Sequence, residues 1–122
     1  MEGRPEVDIK LRRANTIYVI DITGEMDLYN AFKLKDIVTV MIGRQIREFV
    51  INLENVEYID SSGIGALLTV HSELKKRGMM LRFANVKGSV KRVIELTKLF
   101  GYLPICTDVN EAVTQIRTTG QK

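Results

Sequence analysis

Residues 49–84 read FVINLENVEYIDSSGIGALLTVHSELKKRGMMLRFA, and three patterns follow one another within them. Phe49 to Leu53 is a short, nearly continuous apolar run, as expected of a strand covered on both faces. From Ser61 or Ser62 the period changes: Ile64, Leu67, Leu68, His71 and Leu74 share one stripe of a helix that stops at Gly78. Met79 to Ala84 is the next strand. Strand, helix and strand in that order imply parallel pairing through a right-handed crossover.

The flanks extend this unit. Val7, Ile9 and Leu11 alternate with Asp8, Lys10 and Arg12, the period of a half-buried strand, and Thr16 to Thr23 is a second strand rich in β-branched residues. Ala14-Asn15 suits a tight hairpin between them, and Gly24 breaks the second run. From Leu28 to Ile42 the period is helical: Leu34, Ile37, Val38 and Met41 form the stripe, with Asp27 as the cap and Gly43 as the stop. Val90, Val93 and Ile94 mark a third helix closed by Gly101. Pro104 precedes a short strand from Ile105 to Thr107, and Val109, Ala112, Val113 and Ile116 make the last helical stripe. The expectation is an α/β fold: one domain over residues 1–122, with its core at 7–117 and short loose termini beginning at Thr118 on the C-terminal side. Its sheet is mixed but mostly parallel, with about five strands and about four helices.

Composition narrows the function classes. A chain of 122 residues, 45% apolar and 27% charged, can bury one core without disulfides or metal. One cysteine, Cys106, and one histidine, His71, cannot by themselves build a tetrahedral zinc site, so neither metal nor cofactor is expected. No apolar run approaches the roughly 20 residues of a membrane span. Met1 to Lys10 carries charges where a signal peptide would be apolar, so a cytoplasmic protein is expected. The net charge of +3 comes from 18 basic and 15 acidic residues that are spread along the chain. With no aromatic RNA-binding signature, direct nucleic-acid binding is not expected.

Two junctions could carry chemistry. Tyr58-Ile59-Asp60-Ser61-Ser62-Gly63-Ile64-Gly65 puts a carboxylate, two hydroxyls and two glycines where a helix begins. Asp and Ser are preferred N-caps, and Gly63 and Gly65 suit close helix packing, so a purely structural role accounts for the string as well. The P-loop spacing is absent, Leu68 stands where a dinucleotide fingerprint needs glycine, and Ile59 removes half of a nucleophile elbow around Ser61. His71 lies ten residues on, roughly 15 Å along a helix, too far to serve Ser61 as a base. No self-contained catalytic set results, and an enzyme is not expected. The second junction, Gly24-Glu25-Met26-Asp27, is either an acidic helix cap or an acidic lip beside Ser61.

Gly24-Glu25-Met26-Asp27, a helix, Val50-Ile51-Asn52-Leu53 and then Asp60-Ser61-Ser62-Gly63-Ile64-Gly65, in this order, resemble the STAS domain, more narrowly the bacterial anti-sigma factor antagonists. The likeness runs from about Val7 to about Arg117; Ile64 stands where leucine is common. It implies a non-catalytic, partner-switching regulator of transcription. In that scheme the unphosphorylated form binds an anti-sigma factor that is also an ATP-dependent serine kinase, freeing the sigma factor. Phosphorylation at Ser61, beside Asp60, switches it off, and a serine phosphatase reverses the change. The choice of Ser61 over Ser62 comes from the resemblance, since local physics accepts either. Ser62 and Gly63 support the motif, and Glu25, Asp27, Gly65 and Thr69 are candidate partner contacts. The alternative is a STAS scaffold or ligand-binding subunit of another signalling or transport complex, without a phosphorylation cycle.

Overall fold

Strand β1 (Val7–Ala14) opens a computed structural model that describes residues 7–120. It is followed by β2 (Ile17–Met26), α1 (Phe32–Gly43), β3 (Glu48–Ile59), α2 (Ser61–Lys76), β4 (Met80–Ala84), α3 (Gly88–Leu96), β5 (Ile105–Cys106) and α4 (Val109–Gly120). The five strands form one sheet in the order β1-β2-β3-β4-β5. β1 pairs antiparallel with β2, and every other pairing is parallel. The expected α/β architecture, a mostly parallel mixed sheet with helices, is the observed one.

The alternation of side chains along the strands explains the layering. Ile20 and Ile22 of β2, with Phe49, Ile51 and Leu53 of β3, pack beneath α1, α2 and α3, among Leu34, Val38, Leu67, Val70, Val90 and Ile94. Ile17, Val19, Val50 and Ala84 point the other way, onto Ala112 and Ile116 of α4. The apolar run at Phe49 to Leu53 is therefore covered on both faces, as its composition requires. Its one polar member, Asn52, is buried yet satisfied. It donates to Asp21 Oδ1 at 2.8 Å and accepts from Asn85 Nδ2 at 2.8 Å and Glu54 N–H at 3.2 Å. Burial pushes the Asp21 carboxyl up, but hydrogen bonds from Arg12, at 2.6 Å, and from Asn52 outweigh it and leave the pKa below its ordinary value.

Several boundaries differ from the sequence expectation. Ala14 pairs with Ile17, so the hairpin loop is Asn15-Thr16, and Asn15 takes the left-handed conformation at φ 61°. Leu11, on the edge strand, is 41% exposed rather than half-buried. Gly24 does not end the second strand. At φ 110° it sits within an irregular register and lets β2 continue to Met26. The first helix starts at Phe32, not Leu28; the chain between them is a turn closed by hydrogen bonds from Asn30 and Ala31 N–H to Asp27 O. Gly43 is the last residue of α1, and Gln45, at φ 67°, makes the left-handed exit. Lys98, at φ 61°, plays that part after α3, which ends before Gly101 is reached. β5 stops at Cys106, one residue short of Thr107. Thr118 is not in a loose tail, since α4 runs to Gly120. The expected looseness of the extreme termini, 1–6 and 121–122, lies outside the described residues.

Candidate functional site

Parallel β2 and β3 end side by side, with Glu25 opposite Tyr58 and Met26 opposite Ile59, so both candidate junctions open on one edge of the sheet. Asp60 joins them. Its extended backbone makes it the N-cap of α2, where Oδ1 accepts from Ser62 N–H at 2.8 Å and Gly63 N–H at 3.1 Å. Oδ2 reaches across to Leu28 N–H at 3.2 Å, and the Asp60 N–H donates to Met26 O at 3.1 Å. One carboxylate thus satisfies orphan donors of the helix and fixes the turn after β2 against it.

With Asp60 as cap, Ser61 becomes the first helical residue. It is exposed, and among the described residues no hydrogen bond engages its Oγ. Ser62 is half-buried and spends its N–H on the cap. Gly63 is buried where no side chain fits: a Cβ there would collide with Ile59 Cγ1 and lie 2.9 Å from Met26 O and 3.0 Å from Met26 Cβ. This glycine lets the helix start flush on the ends of β2 and β3. Gly65 differs, because nothing lies within 4 Å of a Cβ built on it. Thr69, one turn further, is exposed, so Ser61, Gly65 and Thr69 form an i, i+4 row of small residues.

The acidic junction is built by a residue that periodicity did not single out. Asn30 is 6% exposed; its Nδ2 donates to Glu25 O at 2.8 Å and its Oδ1 accepts from Asp27 N–H at 2.9 Å, closing the turn from inside. Asp27, expected to cap the first helix, caps this turn instead, with Oδ1 accepting from Tyr29 N–H at 2.9 Å. The turn and its surroundings display Leu28 at 70% exposure, Tyr29 at 63%, Phe32 at 54% and Tyr58 at 47%. The only available signal was that Leu28, Tyr29 and Phe32 fall off the Leu34-Val38-Met41 stripe.

Ser61 lacks a base. His71 packs into the lower half of α2, edge-on to Tyr102 with ring centroids 5.2 Å apart, and desolvation followed by the charge of Lys75 lowers its pKa. Cys106 is buried, its thiol pKa raised first by burial, with Sγ 3.4 Å from Gln115 Oε1. Both behave as packed side chains. Among the described residues no group of three His, Cys, Asp or Glu is placed to hold a metal ion, and no helix is long and apolar enough to cross a membrane. The arrangement can do one thing: present an unengaged hydroxyl on a helix N-terminus, between acidic residues and exposed apolar side chains.

Comparison with known proteins shows the family of the fold. The STAS domain pattern matches residues 8–112. The anti-sigma-B factor antagonist of Staphylococcus aureus is 29% identical over 93 residues, which is 76% of this chain and 86% of that protein. Among solved structures, an anti-sigma factor antagonist from Mycobacterium paratuberculosis superposes with a TM-score of 0.82 at 22% identity, covering 92% of this chain and 95% of its own. The Bacillus cell fate determinant SpoIIAA in its phosphorylated form gives 0.68 at 21% identity, covering 90% of this chain and all of its own. At these identities the structural likeness is one of fold.

Proposed function

The chain belongs to the STAS domain family, and on that premise we propose that it is an anti-sigma factor antagonist switched by phosphorylation of Ser61. The observation that carries the reading is the division of labour at the start of α2: Asp60 does the capping, which leaves the Ser61 hydroxyl exposed and unengaged. A serine needed as a cap could not be modified without loosening the helix. Here the kinase partner transfers the γ-phosphoryl group of ATP to Oγ, ADP leaves, and the hydroxyl proton goes to the kinase. The chain is a binding module, not an enzyme, and works in the cytoplasm.

The physics of the switch favours release without unfolding. Phosphoserine carries about −1.5 to −2 charges at pH 7. The free N–H groups and dipole of α2 favour an anion by roughly 0.3–1 kcal/mol, and Asp60 opposes it by like-charge repulsion, so the fold is nearly indifferent. At an interface the same dianion, buried without a cation, costs several kcal/mol. About 4 kcal/mol weakens binding roughly a thousandfold. The apolar side chains of Leu28, Phe32 and Tyr58 beside Ser61 supply contact area, with Glu25, Asp27, Gly65 and Thr69 around them.

Pull-down from native cell lysate with ADP present tests this, using the wild type, Ser61→Ala and Ser61→Glu as folded baits. The first two should retain an ATP-binding kinase-like protein that the third does not. A serine phosphatase should restore binding to the phosphorylated chain. If all three baits hold the same partners, Ser61 is no switch and the scaffold reading replaces this one. Full phosphorylation of Ser61→Ala would move the site to Ser62.

A further inference from the structure

The parallel sheet gives the domain two unlike ends. Strand C-termini and helix N-termini gather around Ser61, where Glu25, Asp27, Glu57 and Asp60 lie, with Lys33 and Lys35 at the start of α1 and Lys87, paired with Glu54, at the start of α3. Helix C-termini and strand N-termini gather at the opposite end, and there cations predominate. Arg44 follows α1, Arg47 leads into β3, Lys75 and Lys76 close α2, and Lys98 follows α3. All five are exposed, and among the described residues none forms an ion pair. A hydrogen bond from Met80 N–H to Arg47 O at 3.0 Å ties the entry of β3 to the exit of α2. Of the carboxylates at this end, Glu73 holds Arg77 at 2.6 Å and Glu48 accepts from the Thr16 hydroxyl, while Glu95, beside Leu96, is exposed.

Helix dipoles explain a cation at each helix end. They do not explain the apolar side chains among them. Leu96 is 75% exposed, Tyr102 55% and Phe100 37%, all on the stretch that links α3 to β5. Tyr102 shares one shallow depression with Lys75 and another with Glu73 and Lys76 of α2. Single exposed apolar residues are ordinary, but three on one short stretch, at an end where cations without ion-pair partners collect, are how a peripheral protein meets a charged bilayer. The apolar groups enter at headgroup depth while the cations sit on lipid phosphates. The cations are spread over the ends of several elements rather than along one helix or strand that could enter a nucleic-acid groove, so a lipid surface fits better than DNA or RNA.

We propose that this basic, apolar end docks the domain on an anionic lipid surface, through Leu96, Phe100 and Tyr102 with the surrounding lysines and arginines on the headgroups. Docked this way, the opposite end with Ser61 faces away from the lipid and stays open to protein partners. This inference does not depend on whether Ser61 is phosphorylated.

Flotation with lipid vesicles tests it, using the full chain and vesicles of phosphatidylcholine alone or mixed equally with phosphatidylglycerol. Binding should appear only on the anionic vesicles and weaken as salt is raised. Lys75→Glu with Lys76→Glu should reduce it at least about tenfold, since each cation near an anionic surface contributes appreciably. Leu96→Ser with Phe100→Ser, which leaves the charge unchanged, should also reduce it severalfold, and Ser61→Ala should not. All variants alter exposed side chains, and circular dichroism checks their folding. The proposal is overturned by failure to float with anionic vesicles at low salt. It is equally overturned by salt-sensitive binding indifferent to Leu96 and Phe100, or by tighter binding to random duplex DNA than to the vesicles.

Discussion

Gly63 and Gly65 lie two residues apart in one helix, and replacing each by alanine should move stability in opposite directions. At Gly63 the new methyl group meets Ile59 Cγ1, Met26 O at 2.9 Å and Met26 Cβ at 3.0 Å. None of these can yield cheaply. Ile59 and Met26 are 2% and 1% exposed, and Met26 O is held by the Asp60 N–H at 3.1 Å. Overpacking of this kind costs about 1–3 kcal/mol, and the helix-propensity gain of alanine, at most about 1 kcal/mol, is reduced in the first turn. Gly63→Ala should therefore be destabilised by about 1–2 kcal/mol. Gly65 has open space around its Cβ position, so only the propensity gain applies, and Gly65→Ala should be stabilised by about 0.5–1 kcal/mol. Urea denaturation of both variants reads this directly. With a slope of roughly 1–3 kcal/mol per molar for a domain of this size, the midpoints should fall on opposite sides of the wild type, about 1 M apart. If Gly63→Ala matched the wild type, or Gly65→Ala fell below it, the account of how α2 seats on β2 and β3 would be wrong.

Asp60→Ala should cost about 1–2 kcal/mol, for the cap and for the bond to Leu28 together, whereas Asp60→Asn keeps a capping oxygen and should cost less. Both should speed hydrogen exchange of the Leu28 amide; an unchanged rate would mean that Asp60 does not hold the turn. His71 gives a pH dependence with a definite sign. Its folded pKa lies below the ordinary 6.5, so in the window beneath 6.5 the unfolded chain binds more protons. That stability is complete above 6.5 and is lost as the pH falls through the window. His71→Phe, which preserves the packing on Tyr102, should flatten the difference between about pH 7 and about pH 5 in thermal melts, and a slope identical to the wild type would refute the assignment.

The periodic stripes were legible wherever burial enforces them. Leu34, Val38 and Met41, then Ile64, Leu67 and Leu74, lie against the sheet because an amphipathic helix has one way to hide them. Element ends were less legible, since backbone geometry decides them. Gly24, Gly43 and Gly101 read as stops, yet the left-handed exits from α1 and α3 fall on Gln45 and Lys98, and Gly24 lies within a continuing strand. A non-glycine residue can take that conformation when the surrounding hydrogen bonds repay its strain. Thr118 read as loose because its polarity hid a helix whose outer face needs nothing but solvent.

Sequence alone determined the α/β class, the parallel pairing and the position of the Asp60-Ser61 junction at a helix start. Each of these follows from local pattern and short-range capping chemistry. The tertiary structure decided what the junction contains. Asp60 caps α2 through one oxygen, and because the ends of β2 and β3 lie side by side its second oxygen also reaches Leu28 N–H. Asn30 closes the acidic turn because its side chain is folded inward against Glu25. Gly63 and Gly65, equivalent in the string, differ because one helix face lies on the sheet and the other meets solvent. Contacts between residues some thirty positions apart, such as that of Leu28 with Asp60, have no signature in local periodicity.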